Sequence, residues 1–385
     1  MPGREAPASD EPATIRMLRA TPLLIQVVPQ LKPRKCGVTD HAIPLAVELK
    51  RGFGIDTAFV VLNSNERCGL PHPVIYCAPA QLLESCLALS AGQPGAILVH
   101  VSGYGYSADG APALLAENLA KVRADGRFGI AAYFHEVSAS GAPWTRAFWL
   151  ARRQKKAAGK IAAQCDLIAT NIGAHAKWLE QETTRQPAAP IHLLPVLSTI
   201  GEARERNPVE RRTPAMAVFG LPATRQRAYK ELLSLSGVTN ALAIGEIVDI
   251  GAGLAGPESV NGIPVRHKGE LEAADLAREL SGALCGFLSY PANCLGKSSI
   301  FAAYCAQGAI PVIAKPFTGE LDGLTDGVQL LSPRTVHAAL QSGLDRCSLA
   351  AWQWYSGHRT HVHAGTYARW LDRSVPTSER EHARR

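Results

Sequence analysis

The feature that most constrains the fold of this chain is a regular alternation of short apolar strands and amphipathic helices. From residue 22, the run "PLLIQVVPQ" predicts a strand, "HAIPLAVELKRG" predicts a helix, and "DTAFVVLN" predicts the next strand. Such units build parallel sheets, because the helix carries the chain back to the end of the sheet where the first strand began. The sequence therefore predicts an α/β protein with doubly wound parallel sheets.

A charged segment interrupts the alternation and divides the chain. Residues 198–214, "STIGEARERNPVERRTP", are rich in charge and poor in apolar residues, as is typical of a linker. The alternation then resumes, and 385 residues are too many for one ordinary core. We expect two domains at 21–197 and 215–350, an aromatic-rich helical segment at 351–373, a disordered tail at 1–20 and a second tail at 374–385.

Composition excludes several classes of protein. Hydrophobic residues make up 46% and charged residues 19%, which is a globular and not a disordered composition. The nine cysteines form no C-x-x-C pair, so the usual zinc spacing is missing, and we interpret them as reduced thiols of a cytoplasmic protein. The sequence shows no apolar run long enough for a membrane span and no secretory signal pattern, so we expect neither.

The net charge of +7 suits an anionic ligand or an acidic membrane surface, and we expect no nucleic-acid partner. A predicted helix near 146–160 contains the basic, aromatic run "FWLARRQKK". Its Phe148 and Trp149 either insert into an anionic membrane or pack inside the domain with the cations outward. Peripheral contact with the inner face of a membrane is therefore an open expectation, and the oligomeric state is not predicted.

The strongest chemical signal lies in the second half, in "LGKSSIFAAYCAQG". Gly296, Lys297, Ser298 and Ser299 stand where a helix begins after a strand. A lysine and hydroxyls at a helix N-terminus form a good cradle for a diphosphate. The alternative is that a serine only caps the helix and Lys297 is solvated. Ligands in doubly wound folds bind at the carboxyl ends of the strands, and here also between the domains.

Two segments of the first half are candidates for the facing side of that cleft. In "KCGVTDHA", Gly37 permits close backbone approach to a ligand at the start of a helix, unless Thr39 or Asp40 is simply the helix N-cap. In "YFHEVSASGAPW", His135 and Glu136 follow an apolar strand. That pair either faces a ligand or caps a turn.

Three further motifs give weaker signals. "FGLPATRQRAYK" offers Arg225, Arg227 and Lys230 after a strand, where each either reaches a diphosphate or is a surface charge. "GAGLAG" matches G-x-G-x-x-G, but Pro257 follows at once and no helix opens there, so we predict a loop. "HRTHVH" fits no standard ligand spacing, and no metal site is predicted.

In order and spacing, these motifs resemble the GT-B glycosyltransferases, specifically the retaining, family-four-like group (glycosyl transferases group 1). The matching segments are "GVTDHAIPLAVEL", "FHE", "AVFG", "AYCAQGAIPVIA" and the C-terminal "AWQWYSGHRTHVHAGTYARWL". The resemblance implies two Rossmann-like domains that face each other across a cleft, with the C-terminal helix crossing back to the first domain.

The resemblance also implies roles for particular residues. The first domain would hold the acceptor and the second a nucleotide sugar, with His135 beside the transferred sugar and basic residues on the diphosphate. No cofactor is expected, and the nucleotide-diphosphate sugar is a substrate. The predicted catalytic residues are His135, Lys297 and Arg225. The predicted donor-binding residues are Gly220, Arg225, Lys230, His267, Gly269, Gly296, Lys297, Ser298 and Ser299. The predicted acceptor-binding residues are Gly37, Val38, Thr39, Asp40 and Glu136.

One departure from the family pattern concerns the donor. The family carries a Glu-x7-Glu motif before a glycine turn. Anchoring on Gly308 puts Leu295 and Ala303 at those positions, anchoring on Gly296 puts Asn293 and Phe301 there, and no glutamate occurs between Glu279 and Glu320. The arginine that usually follows the donor-domain glycine is also missing, since Leu221 follows Gly220. Donor recognition is therefore either altered or lost.

The predicted activity is transfer of a sugar from a nucleotide-diphosphate donor to an acceptor hydroxyl, without a metal because the chain has no Asp-x-Asp, and with the retention that the resemblance implies. One alternative is a non-catalytic sugar-binding or partner protein that has lost the donor glutamates. A second is an epimerase of the same fold, which would convert the donor without any acceptor.

Overall fold

The structure is a computed structural model that describes residues 23–31, 36–64, 66–139, 144–182, 189–253 and 256–374. The predicted tail at 1–20 lies outside these residues, as does all but the first residue of the tail predicted at 374–385. Two large sheets, each covered by helices on both faces, account for most of the described chain.

The first sheet is parallel throughout, in the order β3-β2-β1-β4-β5-β6-β7. Its strands are β1 (Leu23–Val28), β2 (Asp56–Val61), β3 (Val74–Tyr76), β4 (Gly95–Val101), β5 (Phe128–Phe134), β6 (Leu167–Thr170) and β7 (Ile191–Leu193). Its helices are α1 (Gly37–Phe53), α2 (Leu82–Leu89), α3 (Gly103–Tyr106), α4 (Ala113–Asp125), α5 (Arg146–Ala162) and α6 (Gly173–Glu182).

The second sheet has the order β10-β11-β9-β8-β12-β13, and its pairs are parallel except for β10 with β11. Its strands are β8 (Thr213–Phe219), β9 (Glu246–Ile250), β10 (Ser259–Val260), β11 (Ile263–His267), β12 (Ala283–Leu288) and β13 (Ile310–Ile313), and a separate hairpin pairs β14 (Glu320–Leu321) with β15 (Leu324–Thr325). The accompanying helices are α7 (Pro222–Leu232), α8 (Ser236–Ala241), α9 (Ala273–Gly282), α10 (Ser299–Ala306), α11 (Val336–Ser342), α12 (Leu344–Ser356) and α13 (Thr360–Ser374).

The burial of the central strands explains why their sequences are apolar. β1, β4 and β5 are apolar along nearly their whole length and almost completely buried, as expected of strands that have helices on both faces. Chain reversals between strands and helices occur at the same two ends of each sheet. The predicted α/β class with two doubly wound sheets is confirmed.

The segment between the two sheets is tied to the second one. Arg206 donates to both carboxylate oxygens of Asp345 at 2.5 and 2.8 Å, and the buried Arg212 donates to the carbonyl groups of Ala283 and Gln307. These contacts hold the segment predicted as a linker against the base of the second domain.

The C-terminal segment, which the sequence predicts as helical with kinks at Gly357 and Gly365, forms two helices that are separated at Gly357, and α13 continues through Gly365. α12 packs beside α10 in the second domain, the chain turns at residues 357–359, and α13 then packs along α1 in the first domain. A glycine at 357 favours the break because it carries no side chain to hold a further turn. The chain therefore ends its described part on the domain where it began.

Candidate functional site

A cavity of about 340 Å³ lies between the two domains, at the carboxyl ends of the strands. From the first domain, the residues that follow β1 and β5 line it. From the second domain, the loop after β12 and the start of α10 complete the wall. Topology explains the location, since every parallel strand of a doubly wound sheet delivers its following loop to this edge.

The first loop contributes part of what the sequence predicted. Gly37, Val38 and Asp40 line the cavity in the first turn of α1. Thr39 does not, because it is fully buried and its hydroxyl donates to the carbonyl of Gln30 at 3.0 Å. The prediction of Thr39 as an acceptor-binding residue is therefore wrong. Neither Thr39 nor Asp40 is the N-cap, because Cys36 occupies that position.

His135 and Glu136 line the cavity and follow β5 directly. The backbone N–H of His135 donates to the carbonyl of Val101 at 2.9 Å, and Asn171 Nδ2 donates to the carbonyl of His135 at 3.0 Å. The ends of two neighbouring strands thus fix the position of His135. The geometry places this pair on the cavity, as the ligand-facing alternative requires.

Behind His135 lies a buried histidine cluster that sequence reasoning missed, formed by His41, His100, His135 and His363. His100 Nδ1 lies 3.2 Å from His135 Nε2, and His41 Nε2 lies 3.0 Å from His363 Nδ1. Gln26 Oε1 lies 2.6 Å from His100 Nε2. Burial lowers the pKa of His41 to about 3 and holds the pKa values of the other three well below 6.5, so all four rings are neutral at neutral pH.

A weak signal for this cluster exists in the sequence. Gln26 and His100 are polar residues inside otherwise apolar central strands, where a buried polar side chain needs a partner. The partners themselves were not predictable by spacing, because His41 and His363 are 322 residues apart and belong to α1 and α13. His41, His100 and His135 each offer a ring nitrogen, and these three atoms lie within 4.8 Å of one another.

The second domain contributes Lys297, Ser299 and Tyr290 to the cavity. Lys297 Nζ lies 3.5 Å from Glu136 Oε1, which brings the two predicted sides of the cleft together. Ser298 is different from its neighbours, because its hydroxyl accepts the N–H of Phe301 at 3.2 Å as the N-cap of α10. The helix-capping alternative is thus correct for Ser298, and Ser299 is the serine on the cavity.

Gly296 has an interdomain role. Its carbonyl accepts the N–H of Val196 at 2.8 Å, and a Cβ at this position would overlap the carbonyl oxygen of Asn171. The glycine is required because the two backbones touch here. Gly296 does not line the cavity, which contradicts its prediction as a donor-binding residue.

The observed position of Arg225 differs most from its predicted role. It is completely buried and donates to the carboxylate of Asp249 and to the carbonyl oxygens of Gly220, Ala252 and Gly253. The hydrogen bonds of its guanidinium connect the loops after β8 and β9, so the guanidinium is not free to bind a diphosphate. The prediction of Arg225 as a catalytic and donor-binding residue is therefore wrong. The loop it holds is the "GAGLAG" segment, of which residues 254 and 255 lie outside the described chain.

The remaining predicted donor residues divide into two groups. Gly220, His267 and Gly269 gather at the edge formed by β8, β9 and β11: Gly269 accepts from the N–H of Gly251 at 2.8 Å, and His267 Nδ1 lies 3.5 Å from Asp249 Oδ1. Lys230 is exposed on α7 and does not line the cavity. Burial raises the pKa of Tyr290, which lines the cavity, and Arg227 is exposed on α7 and is not among the lining residues.

Comparisons with known proteins find relatives by structure only. No protein-family model matches the sequence, and no curated protein matches it.

Among solved structures, a pneumococcal O-GlcNAc transferase GtfA in complex with UDP and GlcNAc superimposes with a TM-score of 0.60 at 8% identity, over 93% of this chain and 100% of that chain. A sucrose-phosphate synthase from Thermosynechococcus elongatus gives 0.58 at 11% identity, over 92% and 100%. An alpha-glucosyltransferase in complex with UDP and a 13-mer DNA containing a HMU base gives 0.57 at 13% identity, over 92% and 99%. The chain therefore has the GT-B fold of these glycosyltransferases, as the resemblance implied.

Proposed function

We propose that the protein is a glycosyltransferase that moves a sugar from a nucleoside-diphosphate donor to an acceptor hydroxyl in the cavity between its domains. The observation that carries this proposal is the meeting of Lys297, from the second domain, with Glu136 and His135, from the first. A cation and hydrogen-bonding groups on opposite walls suit a substrate that has an anionic and a sugar end. The presence of UDP in two of the structural neighbours supports the donor class.

On the donor side, Lys297 and the first turn of α10 take the diphosphate. Negative charge grows on the leaving diphosphate as the bond to the sugar breaks, and a fixed cation beside a helix N-terminus stabilises it most at that moment. Ser299 stands at that N-terminus and lines the cavity. Arg225 takes no part in this step, because it is buried against Asp249.

On the acceptor side, the hydrogen bonds behind His135 decide what its ring offers. Gln26 Oε1 accepts only, so His100 Nε2 donates to it, and the neutral His100 is left with an accepting Nδ1. His135 Nε2 then donates to His100 Nδ1, which leaves His135 Nδ1 as a hydrogen-bond acceptor for a sugar hydroxyl. Glu136 and Asp40 add carboxylate acceptors on the same wall.

We propose that no divalent cation is needed at the diphosphate, since Lys297 supplies the positive charge there. Retention of the anomeric configuration is proposed from the resemblance to the family-four-like group. The acceptor is proposed to be a glycan, a lipid-linked sugar or a small molecule and not a nucleic acid, in keeping with a modest net charge of +7.

We also propose a cytoplasmic protein that contacts an anionic membrane through α5. All nine cysteines are free thiols, which suits a reducing compartment. No helix in the described residues is long and apolar enough to cross a membrane.

The outer face of α5 carries the signal for that contact. Trp149 is 63% exposed, contrary to the alternative in which it packs inward, and Trp144 just before the helix is 86% exposed. Trp149, Arg152, Arg153 and Lys156 follow the i, i+3, i+4, i+7 spacing of one helix face, and the three cations are exposed. An aromatic side chain among like charges fits a surface of anionic headgroups.

The deciding experiment incubates purified protein with a panel of nucleotide sugars, with and without acceptors, and measures release of nucleoside diphosphate. The acceptor panel includes sugars, lipid-linked sugars and DNA containing a HMU base. Acceptor-dependent release supports the proposal. Donor binding without release at any acceptor supports a non-catalytic sugar-binding protein, and conversion of the donor sugar without acceptor supports an epimerase.

A further inference from the structure

We propose that His41, His100 and His135 form a binding site for one divalent transition-metal ion of the Zn²⁺ class, at the floor of the interdomain cavity. The three side chains come from α1, β4 and the residue after β5, and their ligand nitrogens lie within 4.8 Å of one another. Three histidines without a thiolate or carboxylate form a donor set that suits Zn²⁺, Cu²⁺ or Ni²⁺ better than Mg²⁺ or Ca²⁺.

The spacing of two of the nitrogens already matches coordination. His100 Nδ1 and His135 Nε2 are 3.2 Å apart. In a tetrahedral zinc site with Zn–N bonds of about 2.0–2.1 Å, neighbouring ligand nitrogens are about 3.3 Å apart. The His41 nitrogen lies within 4.8 Å of the other two, so coordination requires the His41 ring to move toward them.

A hydrogen bond behind His100 fixes its orientation. His100 Nε2 donates to Gln26 Oε1 at 2.6 Å, and Gln26 Nε2 donates to the carbonyl of Ala42 at 3.2 Å, which sets the direction of the amide. The lone pair of His100 is therefore on Nδ1, the atom that faces His135. Ligand histidines in metal sites are held in this way, with the second ring nitrogen donating to an oxygen.

His41 supplies an independent observation. Its Nδ1 is buried and has no hydrogen-bond partner among the described residues, while its Nε2 contacts His363 Nδ1 at 3.0 Å. A buried nitrogen without a partner is costly, and a bound cation would remove that cost.

The site is open on one side. His41 and His135 both line the cavity, so the fourth coordination position faces it, as in zinc sites that bind a water or substrate oxygen. Coordination through His135 Nε2 also moves the ring proton to Nδ1. The ion would then convert the atom that His135 presents to the cavity from a hydrogen-bond acceptor to a donor.

The test uses full-length protein without a histidine tag, stripped with a chelator and titrated with Zn²⁺ by calorimetry and with Co²⁺ by visible absorption. We expect one tightly bound ion per chain and a tetrahedral Co²⁺ spectrum. The substitutions His41→Gln and His100→Gln should each weaken binding by about 10- to 100-fold or more. The matched control is His337→Gln, on the exposed surface of α11, which should bind as the wild type does.

X-ray absorption of the Zn²⁺-loaded wild type decides the question even if the variants fail to fold. Nitrogen ligands with imidazole scattering support the proposal. Sulfur ligands, the absence of a bound ion, or binding that persists in folded His41→Gln and His100→Gln proteins would each overturn it.

Discussion

Lys297 Nζ of the second domain lies 3.5 Å from Glu136 Oε1 of the first, and the pair spans the cavity between them. Both side chains remain partly exposed, at 22% and 47%, so solvent screens the attraction and it contributes little to stability. A phosphate oxygen can therefore take the place of the carboxylate at a small cost. The pair keeps Lys297 in position for an anionic substrate.

The substitution Lys297→Ala should lower turnover by a factor on the order of 10²–10³, because it removes the fixed charge beside the leaving diphosphate. Release of nucleoside diphosphate under saturating donor and acceptor measures the effect. Lys230→Ala is the matched control, since Lys230 is an exposed lysine outside the cavity. Turnover of Lys297→Ala within twofold of wild type would remove this residue from the reaction.

Mg²⁺ or Mn²⁺ should leave turnover unchanged to within twofold when added to chelator-treated protein, because Lys297 already neutralises the diphosphate. Initial rates across a cation titration measure this. A strong dependence on Mg²⁺ would show that the donor phosphates need a cation that the protein does not supply. Zn²⁺ is kept out of this assay, so that the histidine site does not affect the result.

The substitution Arg225→Met should destabilise the second domain by roughly 3–5 kcal/mol, because it leaves the buried carboxylate of Asp249 without its cation. Thermal and denaturant unfolding measure the loss. Arg227→Met on the same helix is exposed and should change stability little. If Arg225→Met instead leaves stability intact and abolishes donor binding, the assignment of Arg225 as a structural residue fails.

The free energy of unfolding should fall as the pH drops below 6.5. Burial lowers the pKa of His41 to about 3 and keeps those of His100, His135 and His363 well below 6.5, whereas the unfolded chain takes up protons near pH 6.5. Stability is therefore full above pH 6.5 and is lost toward pH 3, by up to about 1.4 kcal/mol per pH unit for each histidine.

Denaturant unfolding at a series of pH values measures this slope. His363→Gln should reduce the proton uptake on unfolding by about one. An unchanged slope in folded His363→Gln protein would show that His363 does not titrate on unfolding.

The membrane proposal predicts that the protein co-sediments with vesicles rich in anionic lipid and not with neutral vesicles. The double substitution Arg152→Glu with Lys156→Glu should abolish this binding, and Trp149→Ala should weaken it. Lys121→Glu on α4 is the control, since it reverses a charge elsewhere on the same domain. Equal binding to both kinds of vesicle would contradict the proposed role of the charges.

The fold was predictable because its signals are local. The apolar runs of β1, β4 and β5 and the helices between them are readable within ten or fifteen residues, and their alternation leads to parallel sheets. The cavity followed from topology, since Lys297 and His135 both stand directly after strands or at helix starts.

The roles of single residues depended on partners that local reading cannot supply. Arg225 looked available for a diphosphate, but its anion, Asp249, lies 24 residues further along the chain and inside the domain. The sequence suggested that Gly296 belongs to a phosphate-binding loop. A glycine is needed there because a Cβ would overlap the carbonyl oxygen of Asn171 in the other domain. Of two adjacent serines, the backbone at the start of α10 decides that Ser298 caps the helix and Ser299 faces the cavity.

The return of α13 to the first domain has a mechanical consequence. Within the described residues the chain crosses between the domains twice, once before β8 and once at residues 357–359. The second domain is therefore joined to the first by two connections. Two connections favour a hinge rotation of the second domain about the axis that joins them, and they restrain its other rotations and its translation. When the cleft opens and closes, we therefore expect Lys297 to move along one path and to return to its position opposite Glu136.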